Sequence, residues 1–241
     1  MTLRALRPTL LMAALLAGLL VFLPRSAPLF HALFPDLDRP LYTRASFLDL
    51  TLAHLRLVLG ATGAAALVGV GAGILVTRET GRRLLPLLSA TAAIGQTFPP
   101  VAVLALTVPV LGYGSGATLV ALFVYALLPI IANTVTGLEG VEPSTREAAD
   151  GMGFTPLRRL LDIELPLAAP VILAGIRTSA IINVGTATVG STVGALSLGS
   201  PIIEGLSGSN TAYVVQGAIL VATLALLIDR LFALGSDGAA G

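Results

Sequence analysis

Residues 147–166 read EAADGMGFTPLRRLLDIELP, and six of these twenty residues are charged. The rest of the chain is unlike this stretch. Its 241 residues are 55% hydrophobic and 11% charged, against about 25% charged in an ordinary soluble domain. A mean hydropathy of +0.93 places it in the membrane class. A charged island in such a sequence marks a segment that leaves the bilayer. Its local signals predict two short helices. Ser144 can act as an N-cap with Glu147 three residues later, a capping box. Ala148 and Ala149 favour helix, and Gly153 suits the left-handed residue that ends one. Thr155 before Pro156 predicts a second N-cap with proline at the first helical position. Leu157, Leu160 and Leu161 would then form an apolar stripe, with Arg158, Arg159 and Asp162 facing away. Pro166 is expected to stop this second helix before the next apolar run.

Six apolar stretches surround the island, at about 9–24, 50–77, 84–111, 117–137, 167–195 and 211–234. Each approaches or exceeds the roughly 20 residues needed to cross a bilayer. The expected fold is therefore all-α and polytopic, with about six transmembrane helices. The first stretch follows Arg4 and Arg7, and FLPRSAPLF offers no good small-x-small cleavage site, so a retained helix is expected. The arginines set the orientation. With a cytoplasmic N-terminus, nine of them (Arg4, Arg7, Arg78, Arg82, Arg83, Arg146, Arg158, Arg159 and Arg230) lie inside, and three (Arg25, Arg39 and Arg44) lie in outer loops. The loop 138–166 then faces the cytoplasm and GYGSG (112–116) faces out. The organisation that follows is an N-terminal helix and outer loop over 1–49, a core over 50–234 and a flexible tail over 235–241.

Composition also excludes chemistries. All 14 basic residues are arginine, so no Walker A loop, which needs a lysine at the phosphates, is present. Energy from ATP would have to come from a separate polypeptide. With no cysteine and only His31 and His54, neither a metal site nor a cofactor is expected. A net charge of +1 without a basic run gives no sign of a nucleic-acid partner. Ser115 of GYGSG is the one tempting nucleophile, and no carboxylate is placed to orient His54 toward it, so the chain is not read as an enzyme. His54 and Arg56 are expected in the solvated outer interface. Secondary carriers keep carboxylates within the membrane, but no acidic residue lies between Glu79 and Glu139 or between Glu164 and Glu204.

Two stretches are poor as simple helices. GQTFPPVAVLALTVPVLG (95–112) contains Pro99, Pro100 and Pro109, and NVGTATVGSTVGALSLGSP (183–201) is rich in glycine and threonine. Irregular backbone at membrane depth is tolerated where protein or an aqueous cavity covers it. Gln96, Thr97, Asn133, Asn183, Thr186 and Thr188 could line a path for a small polar solute, or serve only as interhelical hydrogen bonds. Arg177, about 16 Å along a helix from Pro166, either snorkels to the interface or faces a subunit boundary. The small residues Gly69, Gly71, Gly73, Gly190 and Gly194 point to close helix packing.

Glu147-Ala148-Ala149, three residues, Gly153, nine residues, Ile163, one residue and Leu165-Pro166 resemble the EAA motif of binding-protein-dependent ABC importer permeases. The resemblance extends over roughly 50–234. HLRLVL (54–59), GILVTRETGRR (73–83), QTFPPVAVLAL (96–106), ALFVYALLPIIANTVTGLEGVEP (121–143) and PVILAGIRTSAIINVGTATVG (170–190) are similar to the osmoprotectant subgroup, which handles glycine betaine, choline and carnitine. STVGALSLGSPIIEGLSGSN (191–210) departs from the more glycine-rich segment of that subgroup and leaves the solute in doubt, with amino acids or another small polar solute as the alternative. The resemblance implies a type I permease fold in the plasma membrane. Glu147, Ala148, Ala149 and Gly153 would dock an ABC ATPase subunit, and Leu165-Pro166 would start the next span. It also implies a second permease copy or a homologous permease completing the pore, and a solute-binding protein or domain outside.

Overall fold

A computed structural model describes residues 3–79 and 81–239, with the side chains of 3–5, 89, 92–94, 96 and 236–239 outside the description. The described residues form eleven α-helices and no strand: α1 (Leu3–Phe22), α2 (Ala27–Leu33), α3 (Phe47–Thr77), α4 (Leu85–Thr97), α5 (Pro100–Leu111), α6 (Ser115–Glu139), α7 (Pro143–Gly151), α8 (Pro156–Arg159), α9 (Leu165–Val189), α10 (Gly199–Ser207) and α11 (Thr211–Ala239). Five stretches are long and apolar enough to cross a membrane: Leu6–Arg25, Phe47–Thr77, Ser115–Glu139, Pro156–Val193 and Thr211–Gly235.

The expected span at 84–111 is not one helix. It is divided into α4, of 13 residues, and α5, of 12. At 1.5 Å per residue each covers only about 20 Å, against roughly 30 Å of hydrocarbon. Two adjacent prolines make the break. Pro99 forces Phe98 into an extended conformation (ψ 131°), as the residue before a proline prefers. Pro100 then starts α5 at a position where a missing N–H costs nothing. The hydroxyl of Tyr125 on α6 donates to the Phe98 carbonyl that the break leaves free.

The centre of the bundle is α3 packed on α6 and α6 packed on α9. Glycine permits this approach at two levels. A Cβ on Gly73 would lie 2.6 Å from the Thr134 side chain, and one on Gly175 would lie 2.6 Å from Asn133. Gly71, by contrast, faces open space. A larger apolar core joins Leu16 and Leu23 near the N-terminus, Phe47, Leu50 and Leu57 on α3, Leu122 on α6, Val184 on α9, and Leu220 and Leu224 on α11. The N-terminal helix thus shares a core with the rest of the bundle, and α11 continues past residue 234 to Ala239.

His54 lies inside this bundle rather than in a solvated interface. It is fully buried, with Nε2 donating to the Val184 carbonyl at 3.1 Å. α3 starts at Phe47 behind the N-cap Ser46, which puts His54 two turns inside the helix and against α9. Arg56 remains exposed.

Candidate functional site

The charged island folds at one end of the bundle, where α3, α6 and α9 also have their ends. α7 starts two residues earlier than the capping box predicts. Pro143 takes the first helical position, Glu142 is the extended N-cap residue, and no side chain caps the helix. Ser144 therefore lies within the first turn. The amides of Thr145 and Arg146 find the Glu142 carbonyl at 3.1 and 3.4 Å. Proline prevails because its ring fixes φ near the helical value. At the other end Gly153 is left-handed (φ 80°), and its N–H meets the Asp150 carbonyl while that of Phe154 meets Ala149. Thr155 accepts from the Arg158 amide at 3.3 Å with Pro156 behind it.

Pro166 does not stop the second helix. Residues Pro156–Val193 run as one helical stretch, with a π turn over Leu160–Glu164 in which the Leu165 N–H donates to the Leu160 carbonyl. A π turn adds a residue to the ladder, and the helix passes the proline by this local adjustment. The apolar stripe is mostly outward: Leu157 and Leu161 are exposed, while Leu160 packs on the core formed by Leu138, Ala168 and Ile172. Arg158 does face away, 4.7 Å from the Phe154 ring centre and 3.2 Å from Asp162. Arg159 turns inward.

What Arg159 meets is a buried carboxylate. Glu164 is 1% exposed and takes Arg78 at 2.6 Å, Arg159 at 3.0 Å and Arg146 at 3.7 Å. Arg159 also grips Asp150 of α7 at 2.5 Å, and Arg146 donates to the Leu138 carbonyl at the end of α6. Three guanidinium groups balance the charge of this one carboxylate. Thr77, Glu79, Arg82 and Glu139 join these residues around a cavity of about 460 Å³. On the outside of this cluster Glu147, Ala148 and Gly153 are exposed, whereas Ala149 is buried. Leu165 is half-buried against the Leu138 core and Pro166 is exposed. The motif residues thus divide between an outward face and a structural one.

A family model described as "binding-protein-dependent transport system inner membrane component" matches residues 69–236. The chain belongs to this family. The permease is 42% identical over 180 residues to the osmoprotectant import permease protein OsmY of Salmonella typhimurium, covering 75% of this chain and 76% of that one. It is 41% identical over 183 residues to the choline transport system permease protein OpuBB of Bacillus subtilis, covering 76% and 83%. A third relative, the glycine betaine/carnitine/choline transport system permease protein OpuCD of the same organism, is 42% identical over 166 residues, 68% of this chain and 72% of its own. Among solved structures the permease superposes on the MetNI methionine ABC transporter with a TM-score of 0.72 over 80% of this chain and 95% of that one, at 22% identity. That likeness establishes the ABC importer permease fold. The chain is a multi-pass membrane protein of an ABC import system.

The five described side chains among the six polar residues considered for a solute path are spread over α4, α6 and α9. Asn183 is buried and donates to Thr62 across α3 and α9 at 3.0 Å, and Asn133 donates to the Pro129 carbonyl at 2.9 Å beside Gly175. Both serve helix packing in this conformation. Thr188 bonds the Gly185 carbonyl at 2.6 Å and Thr186 is half-buried on the same helix. Thr97 is exposed at the end of α4, and the Gln96 side chain lies outside the described residues. Arg177 pairs with Asp229 of α11 at 2.5 Å.

The opposite end of the permease is tied by polar contacts too. Gln216 accepts from the Tyr42 amide at 3.0 Å and donates to the Pro40 carbonyl at 2.6 Å, and Asn210 donates to the Arg39 carbonyl at 2.9 Å. Glu204 accepts the Tyr42 hydroxyl at 3.0 Å and pairs with the exposed Arg44 at 3.0 Å. Burial, with the adjoining Glu204, pushes the Tyr42 phenol above its usual range, so it stays a hydrogen-bond donor.

Sequence reasoning missed the Glu164 cluster and the Arg177–Asp229 pair. One signal for the first was present: Arg159 and Glu164 stand five residues apart, a spacing that shares a face only in a π turn.

Proposed function

We propose that this permease is the transmembrane subunit of an ATP-driven importer for glycine betaine or related quaternary-amine osmoprotectants. The observation that carries the solute class is the set of relatives at 38–42% identity whose names specify osmoprotectant, choline or glycine betaine/carnitine/choline transport. The arginine asymmetry supports a cytoplasmic N-terminus and a cytoplasmic α7. There the outward Glu147, Ala148 and Gly153 would dock a separate ATPase chain, since these 241 residues hold no lysine for a Walker A loop. One copy supplies half a pathway, so a second copy or a similar permease completes the pore, and a solute-binding protein delivers from outside. ATP-driven approach of the two ATPase subunits would draw the coupling helices together and turn the cavity outward.

Quaternary amines are usually held by aromatic cages, whose ring faces attract the cation. The chain has no Trp, and where Tyr42 meets Phe47 and Tyr213 the rings pack on one another in the apolar core, so selectivity is assigned to the binding partner. The test is uptake of labelled glycine betaine, choline and carnitine by proteoliposomes holding the full complex, with ATP inside and binding protein outside. Uptake of at least one is expected. Transport of a different solute class alone would refute the osmoprotectant assignment and leave the ABC permease standing.

A further inference from the structure

Docking explains the outward face of α7 but gives Glu164 no task. This carboxylate is 1% exposed, and guanidinium groups from three separate elements converge on it. Arg78 comes from the end of α3, Arg146 from α7 and Arg159 from α8. Two of the three arginines carry the connection further: Arg146 to the Leu138 carbonyl at the end of α6, and Arg159 to Asp150 on α7. Glu164 itself closes the π turn that leads directly into α9. α7 buries only Ala149, and its packing against α8 is slight. Its position relative to the membrane helices therefore depends on these charged links, and each of them leads to Glu164.

We propose that Glu164 is a positioning residue that makes α7 move as one body with the ends of α3, α6 and α9. The inference rests on the reading of α7 as the ATPase-docking helix. Charge-assisted hydrogen bonds are short, directional and strong where water is excluded. The buried carboxylate holds Arg78 on one oxygen at 2.6 Å and Arg159 on the other at 3.0 Å, while Arg146 at 3.7 Å adds its charge. A displacement of α7 is thus passed to α3 through Arg78 and to α9 through the backbone of Glu164. Without the carboxylate, α7 would still present its docking face but would slip relative to the bundle. Glu164→Gln tests this with little change in volume. It leaves one acceptor oxygen for Arg78 and Arg159 to share, and it removes the charge.

The experiment uses the full complex of permease, ATPase and binding protein in proteoliposomes, with the wild type, Glu164→Gln and Arg78→Gln compared. In both variants ATPase subunits should still co-purify and hydrolyse ATP, while solute moved per ATP falls by about tenfold, the usual size of a coupling effect. A purely structural role would lower thermal stability and leave that ratio unchanged. A second readout places nitroxides at Ser144→Cys and Arg83→Cys in the otherwise cysteine-free chain. In the wild type their distance should stay narrow and equal in the nucleotide-free and ATP-trapped states; in Glu164→Gln it should broaden and differ between them. If Glu164→Gln does not assemble, Arg78→Gln decides by the same two measures. Wild-type values for both ratio and distance would overturn the inference while the docking reading stands. A wild-type complex without ATP-driven uptake would remove both.

Discussion

Replacing Gly153 by valine should uncouple α7 without disturbing the membrane helices, and its cost can be worked out from the backbone. Gly153 holds φ at 80°, where a Cβ crowds the following carbonyl. For an ordinary L-residue that conformation costs about 1–2 kcal/mol, and a β-branched side chain lies at the upper end or beyond. Nothing stands within 4 Å of a Cβ built at this position, so no clash adds to the conformational term. The turn between α7 and α8 would then be occupied roughly 5- to 30-fold less, the ratio that 1–2 kcal/mol corresponds to. Transport and transporter-stimulated ATP hydrolysis in proteoliposomes should fall by a comparable factor, with membrane insertion and detergent melting temperature unchanged. Gly153→Asn is the control, because asparagine tolerates the left-handed region; it should retain most of the activity. Wild-type transport by the valine variant would refute the reasoning. Equal loss in the asparagine variant would also refute it, since a contact with the partner and not the backbone angle would then be at stake.

Three further outcomes are expected. A cysteine at Ser144 should stay unreactive to a membrane-impermeant thiol reagent added outside intact cells while one at Ser115 reacts, and the reverse pattern would invert the topology. Arg177→Ala leaves Asp229 without its 2.5 Å partner and should cost about 2 kcal/mol, the range for a charged hydrogen bond. In a double-mutant cycle of unfolding in detergent, adding Asp229→Ala should recover part of that loss, and strict additivity would show that the pair carries no energy. Gly73→Leu should destabilise by about 1–3 kcal/mol through overpacking, because its Cβ alone would come within 2.6 Å of Thr134. Gly71→Ala, which meets open space, should be neutral by the same melting measurement, and equal effects at the two sites would contradict the α3–α6 packing described.

The difference between these positions shows what a linear sequence can specify. Length and apolarity determined the long spans, since the bilayer sets one required dimension. Gly153, Thr155 and Pro156 determined their turn and cap, because φ preferences and capping bonds act within a few residues. The spacing of Glu147, Ala148, Ala149 and Gly153 was legible for the same reason. Where two local signals competed, the sequence did not rank them: Pro143 displaced the Ser144 capping box, and a π turn carried a helix through Pro166. Only the tertiary structure decided how charges separated along the chain are paired. Arg78 reaches Glu164 across 86 residues and Arg177 reaches Asp229 across 52. Those partners depend on helix direction, axial register and rotation about each axis, which follow from the packing of Gly73 on Thr134 and Gly175 on Asn133. His54 was placed inside the bundle by the same packing. Apolar composition brings helices into a membrane; close steric fit then determines which polar groups meet there.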